Sequence, residues 1–192
     1  VDSLFRTQTP AYSGNDRAYE LGSEFQTRAD GFITKVRLFT HVSETGNHTI
    51  RLWVLNGSTY SLLAGPYTWN FSAGTHGWRQ YPLTTPIAVQ TGKTYIISIT
   101  NGSDLNYEKS ENFPANTSNT YVRYTRGVYG TALGSVPTQT YAGSCYFRDV
   151  VFSITNGNGN LTAGTIGTAQ SICYNTIPAP LTQLTAPSGG DG

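Results

Sequence analysis

The feature that most constrains this chain is its punctuation. Turn signals recur about every eight to twelve residues, between short stretches that alternate apolar and polar side chains. Residues 18–26 (AYELGSEFQ) set Tyr19, Leu21, Ser23 and Phe25 against Glu20, Gly22, Glu24 and Gln26. Successive strand side chains point to opposite faces, so a period of two is what a half-buried strand requires. The pattern returns in Gly31–Thr40 (GFITKVRLFT) and 49–55 (TIRLWVL), and more briefly in 60–63, 67–71, 77–83, 87–89, 94–100 and 120–125. No window carries a helical period. The expected fold is all-β, an antiparallel β-sandwich of jelly-roll-like form. Local spacing predicts two hairpins, 31–40 with 49–55 around Gly46-Asn47, and 87–89 with 94–100 around Thr91-Gly92. Asn56-Gly57 marks a further turn.

Composition narrows the partners. Hydrophobic residues make up 38% of the 192, enough for a sizeable core, while charged residues are only 12%. There are 21 Gly and 13 Tyr but no Met, a mixture suited to strands, turns and hydroxyl-bearing surfaces. Net charge is +1 without any Lys or Arg run, which argues against nucleic acid or an anionic membrane surface as partner. No apolar run approaches the roughly 20 residues of a membrane span. The chain starts at Val1 rather than Met, as expected of a processed protein or an excised fragment. Cys145 and Cys173 leave a disulfide and two free thiols equally open.

The domain reading is one β-domain over residues 1–155, then a Gly/Asn linker over 156–162. Residues 163–192 are too few and too poor in large apolar groups to fold alone, and read as the start of a further domain. The first domain closes on 144–154 (SCYFRDVVFSI), expected as its last strand, with Tyr146, Val150, Phe152 and Ile154 on one face and Phe147, Asp149 and Val151 on the other. Asp149 therefore sits among large apolar groups and needs a cation, an Arg or several donors, because an unpaired buried charge costs several kcal/mol, roughly. Catalysis finds little support. His41, His48 and His76 lack metal-binding spacing, and no GxSxG elbow or Cys-His pair occurs, so no enzyme is expected.

In order, TQTP…NDRAYELGSEF, GFITKVRLF, ETGNHTIRLW, GWRQYPL, PIAVQTGKTYIIS and VPTQTYAGSCYFRDVVF resemble the domain-of-unknown-function 4082 family over about residues 4–154. Those modules occur in large secreted and surface proteins of bacteria. The tail from Ala163 is similar to the opening of tandem Ig-like repeats in giant adhesins and gliding-associated proteins of Bacteroidetes. Together these resemblances imply an extracellular or cell-surface location, other modules on the same long chain, and a likeness to non-catalytic carbohydrate-binding modules.

Jelly-roll carbohydrate modules often hold Ca²⁺ where an N-terminal loop meets the last strand, so the resemblance implies Glu20 and Asp149 as calcium ligands, with Asp16 as a third. Pairing of Asp149 with an arginine, or hydrogen bonds to both acids from Tyr, Ser and backbone donors, is the competing expectation. For ligand binding, His48 near its turn could reach a sugar or tie its own loop. Trp53 is expected to be exposed by alternation, with Arg37 beside it on a facing strand; Trp78 is expected in the core. Tyr107, Tyr121, Arg123, Tyr124, Arg126 and Tyr129 crowd one region, and of these Tyr107, Tyr121, Arg123 and Tyr124 are taken as ligand-binding. Two functions follow from different classes. One is a polysaccharide- or cell-surface-glycan-binding module serving adhesion or polysaccharide targeting; the other is a structural spacer of a surface adhesin with no small-ligand site.

Overall fold

Alternation becomes strand wherever one face of it can be buried. The computed structural model describes residues 1–72, 74, 76–154, 165–167, 170–180 and 182–186. Its strands, in chain order, are β1 (Asp2–Ser3), β2 (Tyr12–Gly14), β3 (Glu20–Thr27), β4 (Gly31–Thr40), β5 (Gly46–Asn56), β6 (Thr59–Phe71), β7 (Gly77–Val89), β8 (Thr94–Thr100), β9 (Tyr107–Lys109), β10 (Val122–Gly130), β11 (Arg148–Ser153), β12 (Thr165–Ile166) and β13 (Gln183–Thr185). The chain divides into two compact units, Val1–Asn156 and Gly157–Gly192. In the second, β12 pairs antiparallel with β13, and Cys173 is an exposed free thiol. The expected linker over 156–162 lies outside the described residues.

The first unit is an antiparallel β-sandwich. One sheet has four strands in the order β1-β11-β4-β7, the other five in the order β10-β3-β8-β5-β6, and β2 pairs with β9 in a small sheet of its own. Phe25, Ile97 and Ile99 of the five-stranded sheet join Ile33, Val36, Leu38, Val150 and Phe152 of the four-stranded one in a single core cluster. Burying each such side chain stabilises the fold by about 1.5–3 kcal/mol. Phe5 enters the same core from the N-terminal segment and meets Tyr124 at 5.2 Å, Phe147 at 5.3 Å and Phe113 at 5.7 Å between ring centroids.

Both expected hairpins are absent. β4 pairs with β11 and β7, whereas β5 pairs with β6 and β8, so the chain between residues 40 and 46 crosses from one sheet to the other. Residues 90–93 make the same crossing between β7 and β8. A loop of four or five residues fits either a hairpin or such a crossing, and strand periodicity is the same in both. The connection that does form a hairpin is β5–β6, where Asn56 pairs with Thr59 and Gly57 takes φ +63°. Stretches expected as separate strands fuse: 60–63 with 67–71 in β6, and 77–83 with 87–89 in β7.

The closing strand also departs from simple alternation. Phe147 takes φ +52°, and a register shift falls between Val151 and Phe152. Phe147 thereby turns into the core with Val150 and Phe152, instead of facing away from them with Asp149. Tyr146 goes to a separate cluster with Leu21 and Tyr107.

Candidate functional site

The carboxylates on the sheets are met from within the protein. Asp149 is fully buried. It accepts hydrogen bonds from the Leu4 N–H at 2.7 Å and the Phe5 N–H at 3.4 Å, and pairs with Arg37 Nη1 at 2.9 Å. Burial pushes its carboxyl up to about 7, against the pull of Arg37 and those backbone donors. Arg37 also donates to the Ser3 hydroxyl and the Phe5 carbonyl and lies over the Trp78 ring at 4.2 Å. The pair is thus a clamp that fastens the N-terminal segment to β11 and β4.

Glu20 is organised in the same way on the far face of the five-stranded sheet. Arg51 Nη1 lies 2.9 Å from its Oε2, Ser98 Oγ donates to its Oε1 at 2.6 Å, and the Gly134 N–H donates to its Oε2 at 3.0 Å. Trp53 Nε1 donates to Ser98 Oγ at 2.9 Å, extending the network by one ring. Trp53 is 7% exposed and packs with Ile96 and Val128 under Tyr60 and Val136, so the exposure expected from alternation is overturned. Alternation assigned it correctly to the outer face, but the segment between β10 and β11 covers that face. Glu24, four residues further along β3 on the same face, takes Arg126 Nη2 at 2.7 Å and Tyr60 OH at 2.9 Å. Burial alone would raise its pKa, and these partners reverse the sign and lower it.

The remaining expected ligand residues are also placed. His48 is buried, with Nδ1 2.7 Å from the Thr100 carbonyl and its ring edge-on to Phe71 at 4.7 Å. A carbonyl only accepts, so Nδ1 carries the proton there. Gly102 lies over the ring, and a Cβ built at that position would come within 2.9 Å of Nε2. The histidine therefore fastens β5 to the end of β8, and Glu44 of its own loop brings Oε1 to 3.5 Å from the same nitrogen. Tyr124 is in the core, Tyr121 packs its ring 6.0 Å from Phe152, and Arg123 donates to Asn116 Oδ1 at 2.6 Å. Arg37, Trp53, His48 and Tyr124 are consumed by internal contacts and are not brought together with Tyr107.

Tyr107 belongs to a different place. At one end of the sandwich a pocket of about 440 Å³ is lined by Asp16, Tyr19, Leu21, Tyr107, Lys109, Tyr129, Tyr141 and Tyr146. The ends of β3 and β10 supply Leu21 and Tyr129, β9 supplies Tyr107 and Lys109, and loops supply the rest. The rings stand almost at right angles: Tyr19 to Tyr107 at 5.8 Å and 87°, Tyr19 to Tyr129 at 5.8 Å and 88°. Gly14 makes room for this, because a Cβ there would fall 2.2 Å from the Tyr107 ring.

Asp16 fixes two of the rings. It accepts from Tyr19 OH at 2.6 Å and from Tyr107 OH at 2.8 Å. The Tyr19 bond holds the Asp16 carboxyl below its ordinary value and pushes the Tyr19 phenol up to about 12. Burial pushes Tyr146 up to about 12 as well. Tyr19 and Tyr146 are therefore neutral phenols at neutral pH beside the Asp16 carboxylate, and Lys109 stands on the same lining. Its volume lies within the about 300–1,000 Å³ of ordinary small-molecule sites.

The three acids expected to share a calcium ion do not fit that role as arranged. Asp16 is held by tyrosines, Glu20 by Arg51 and Asp149 by Arg37. Among the described residues no group of three His, Cys, Asp or Glu side chains is placed to hold a metal. Four tyrosines of the pocket escaped the selection made from sequence. Tyr129 stands in the crowded region with Tyr107 but outside the ligand-binding set, whereas Tyr19, Tyr141 and Tyr146 lie elsewhere in the chain, where only the high Tyr count hints that some gather at a surface.

A family model described as "Domain of unknown function (DUF4082)" matches residues 7–148, which covers strands β2 to β10 and every residue lining the pocket. No curated protein matches the chain.

Proposed function

The chain belongs to the DUF4082 family, and on that premise we propose that it is a non-catalytic glycan-binding module of an exported, multi-domain bacterial protein, serving adhesion or polysaccharide targeting. The observation that carries the reading is the tyrosine-lined pocket. Sugar rings present apolar C–H faces that stack on aromatic rings, and their hydroxyls need donors and acceptors at the ring edges. Five tyrosines supply both in one concave place, with Asp16 as a further acceptor. The tail as the start of an Ig-like adhesin repeat, and the surface location that goes with it, belong to the same proposal.

The spacer reading draws on one observation of its own. Most of the arginine and buried tryptophan inventory is spent on cohesion, as Arg37, Arg51, Trp53 and Arg126 show. A retention assay of the full chain on a broad panel of immobilised polysaccharides separates the two. The glycan reading expects retention on one class, loss of it in Tyr141→Ala, and the same retention under chelator, since Asp16 is engaged by phenols rather than a cation. No retention on any member of the panel, with an intact β circular dichroism spectrum, would establish the spacer instead.

A further inference from the structure

Resting on the glycan reading, we propose that the tyrosine pocket takes an organic ammonium group, carried by an amino-sugar residue of the glycan. Neutral sugars ask only for stacking faces and hydrogen-bond partners. This pocket offers two things more. Its rings are set edge against face around a common space, Tyr19 against Tyr107 and Tyr129 near 90°, and Tyr107 against Tyr146 at 64°. The space is thus bounded by several aromatic rings held at different orientations, and ring faces carry the negative lobe of the quadrupole that attracts cations.

The second feature is the carboxylate at the pocket wall. Asp16 has two tyrosine donors, and a carboxylate has about four acceptor sites, so it retains capacity for an ammonium donor. The one cation lining the pocket is Lys109, whose Nζ sits 2.7 Å from Glu111 Oε1. Its charge is offset there, and Asp16 remains as the carboxylate lining the pocket. The same Lys109 ammonium lies 5.4 Å from the centre of the Tyr141 ring, so an ammonium already rests against one of these phenols. A ligand ammonium would use the other rings, with Asp16 as counter-ion. A uronate or sulfated sugar would meet that carboxylate unfavourably.

The test is calorimetry of the full chain with four probes: a glucosamine tetramer with free amines, its N-acetylated counterpart, a neutral glucose tetramer and phosphocholine. The pH is kept low enough to hold the sugar amines charged. The amino tetramer should bind about tenfold more tightly than the acetylated one, with the gap closing in Asp16→Asn and narrowing with added salt. Tyr129→Phe, which keeps the ring face, should retain the preference, whereas a general loss of structure would not spare it. Equal binding of all three tetramers would overturn the ammonium assignment while leaving the glycan reading in place. Binding of phosphocholine alone, lost in Asp16→Asn, would overturn the amino-sugar source together with the glycan reading. If none of the probes binds although a polysaccharide on the panel is retained, the ammonium assignment fails and the glycan reading stands.

Discussion

On the two sheets Glu20, Glu24 and Asp149 each hold an arginine, whereas at the end of the sandwich Asp16 holds two tyrosine hydroxyls and no guanidinium. Both regions are polar and both are well bonded, but they are satisfied differently. The arginine-paired acids have their charge balanced within the fold and are covered by other segments. Asp16 has its geometry fixed by two phenols, with Arg17 acting on it through charge without pairing, and it keeps acceptor capacity beside the pocket. A buried carboxylate closed by arginine serves cohesion; one held by phenols beside a pocket leaves something for a ligand to use.

Removing a partner on the cohesion side should give the largest effect. Arg37→Ala leaves Asp149 buried without its cation, and the expected loss is about 3–5 kcal/mol of unfolding free energy, read from urea denaturation. The folded fraction should bind glycan as before, because the clamp does not line the pocket. A loss of affinity in proportion to the loss of stability would erase the distinction between the two regions.

Tyr141→Ala should do the reverse. Tyr141 is 56% exposed, so its truncation should change stability by no more than about 0.5 kcal/mol while weakening glycan retention about tenfold. Gly14→Ala sharpens the contrast further. The added methyl collides with the Tyr107 ring, so this variant should cost about 1 kcal/mol and distort the pocket, visible as a shifted tyrosine signal in near-ultraviolet circular dichroism.

The smallest effect concerns pH. Glu44 and Asp149 are both pushed up to about 7 by burial, from ordinary values of 4.5 and 3.8. The folded state therefore binds these protons more tightly than the unfolded one. Their contribution adds stability as pH falls from about 7 toward those ordinary values, and is lost as pH rises through about 7. Asp16 and Glu24, shifted the other way, lose their contribution at lower pH, and His48, held below its ordinary 6.5 by burial beside Glu44, works against the gain once pH falls below that value. The thermal midpoint should thus peak on the mildly acidic side, and Glu44→Gln should flatten the fall toward neutrality.

The class of fold was legible because alternation and turn dipeptides are local, and β4 runs over the residues its pattern predicts. Pairing was not, since the loop after Thr40 has the length of a hairpin yet carries the chain to the opposite sheet. Asp149 was recognisable as a buried acid needing a partner, and an arginine stood among the competing expectations; that this arginine would be Arg37, 112 residues away, depends on register. Trp53 shows the limit of face assignment, because periodicity says which side a residue is on and not whether another segment lies over it. The pocket needed the fold itself. Its five tyrosines come from four separate stretches, and of them only Tyr107 belongs to the ligand-binding set read from the sequence.

The clamp at Asp149 also sets an order of events. The Leu4 N–H finds its acceptor 145 residues further along the chain, and Phe5 finds one 144 residues along. Contacts between such distant residues close late and slow the search for the native state. A ribosome delivering this chain would hand over the Leu4 and Phe5 amides without their acceptor, and keep them so until β11 had emerged.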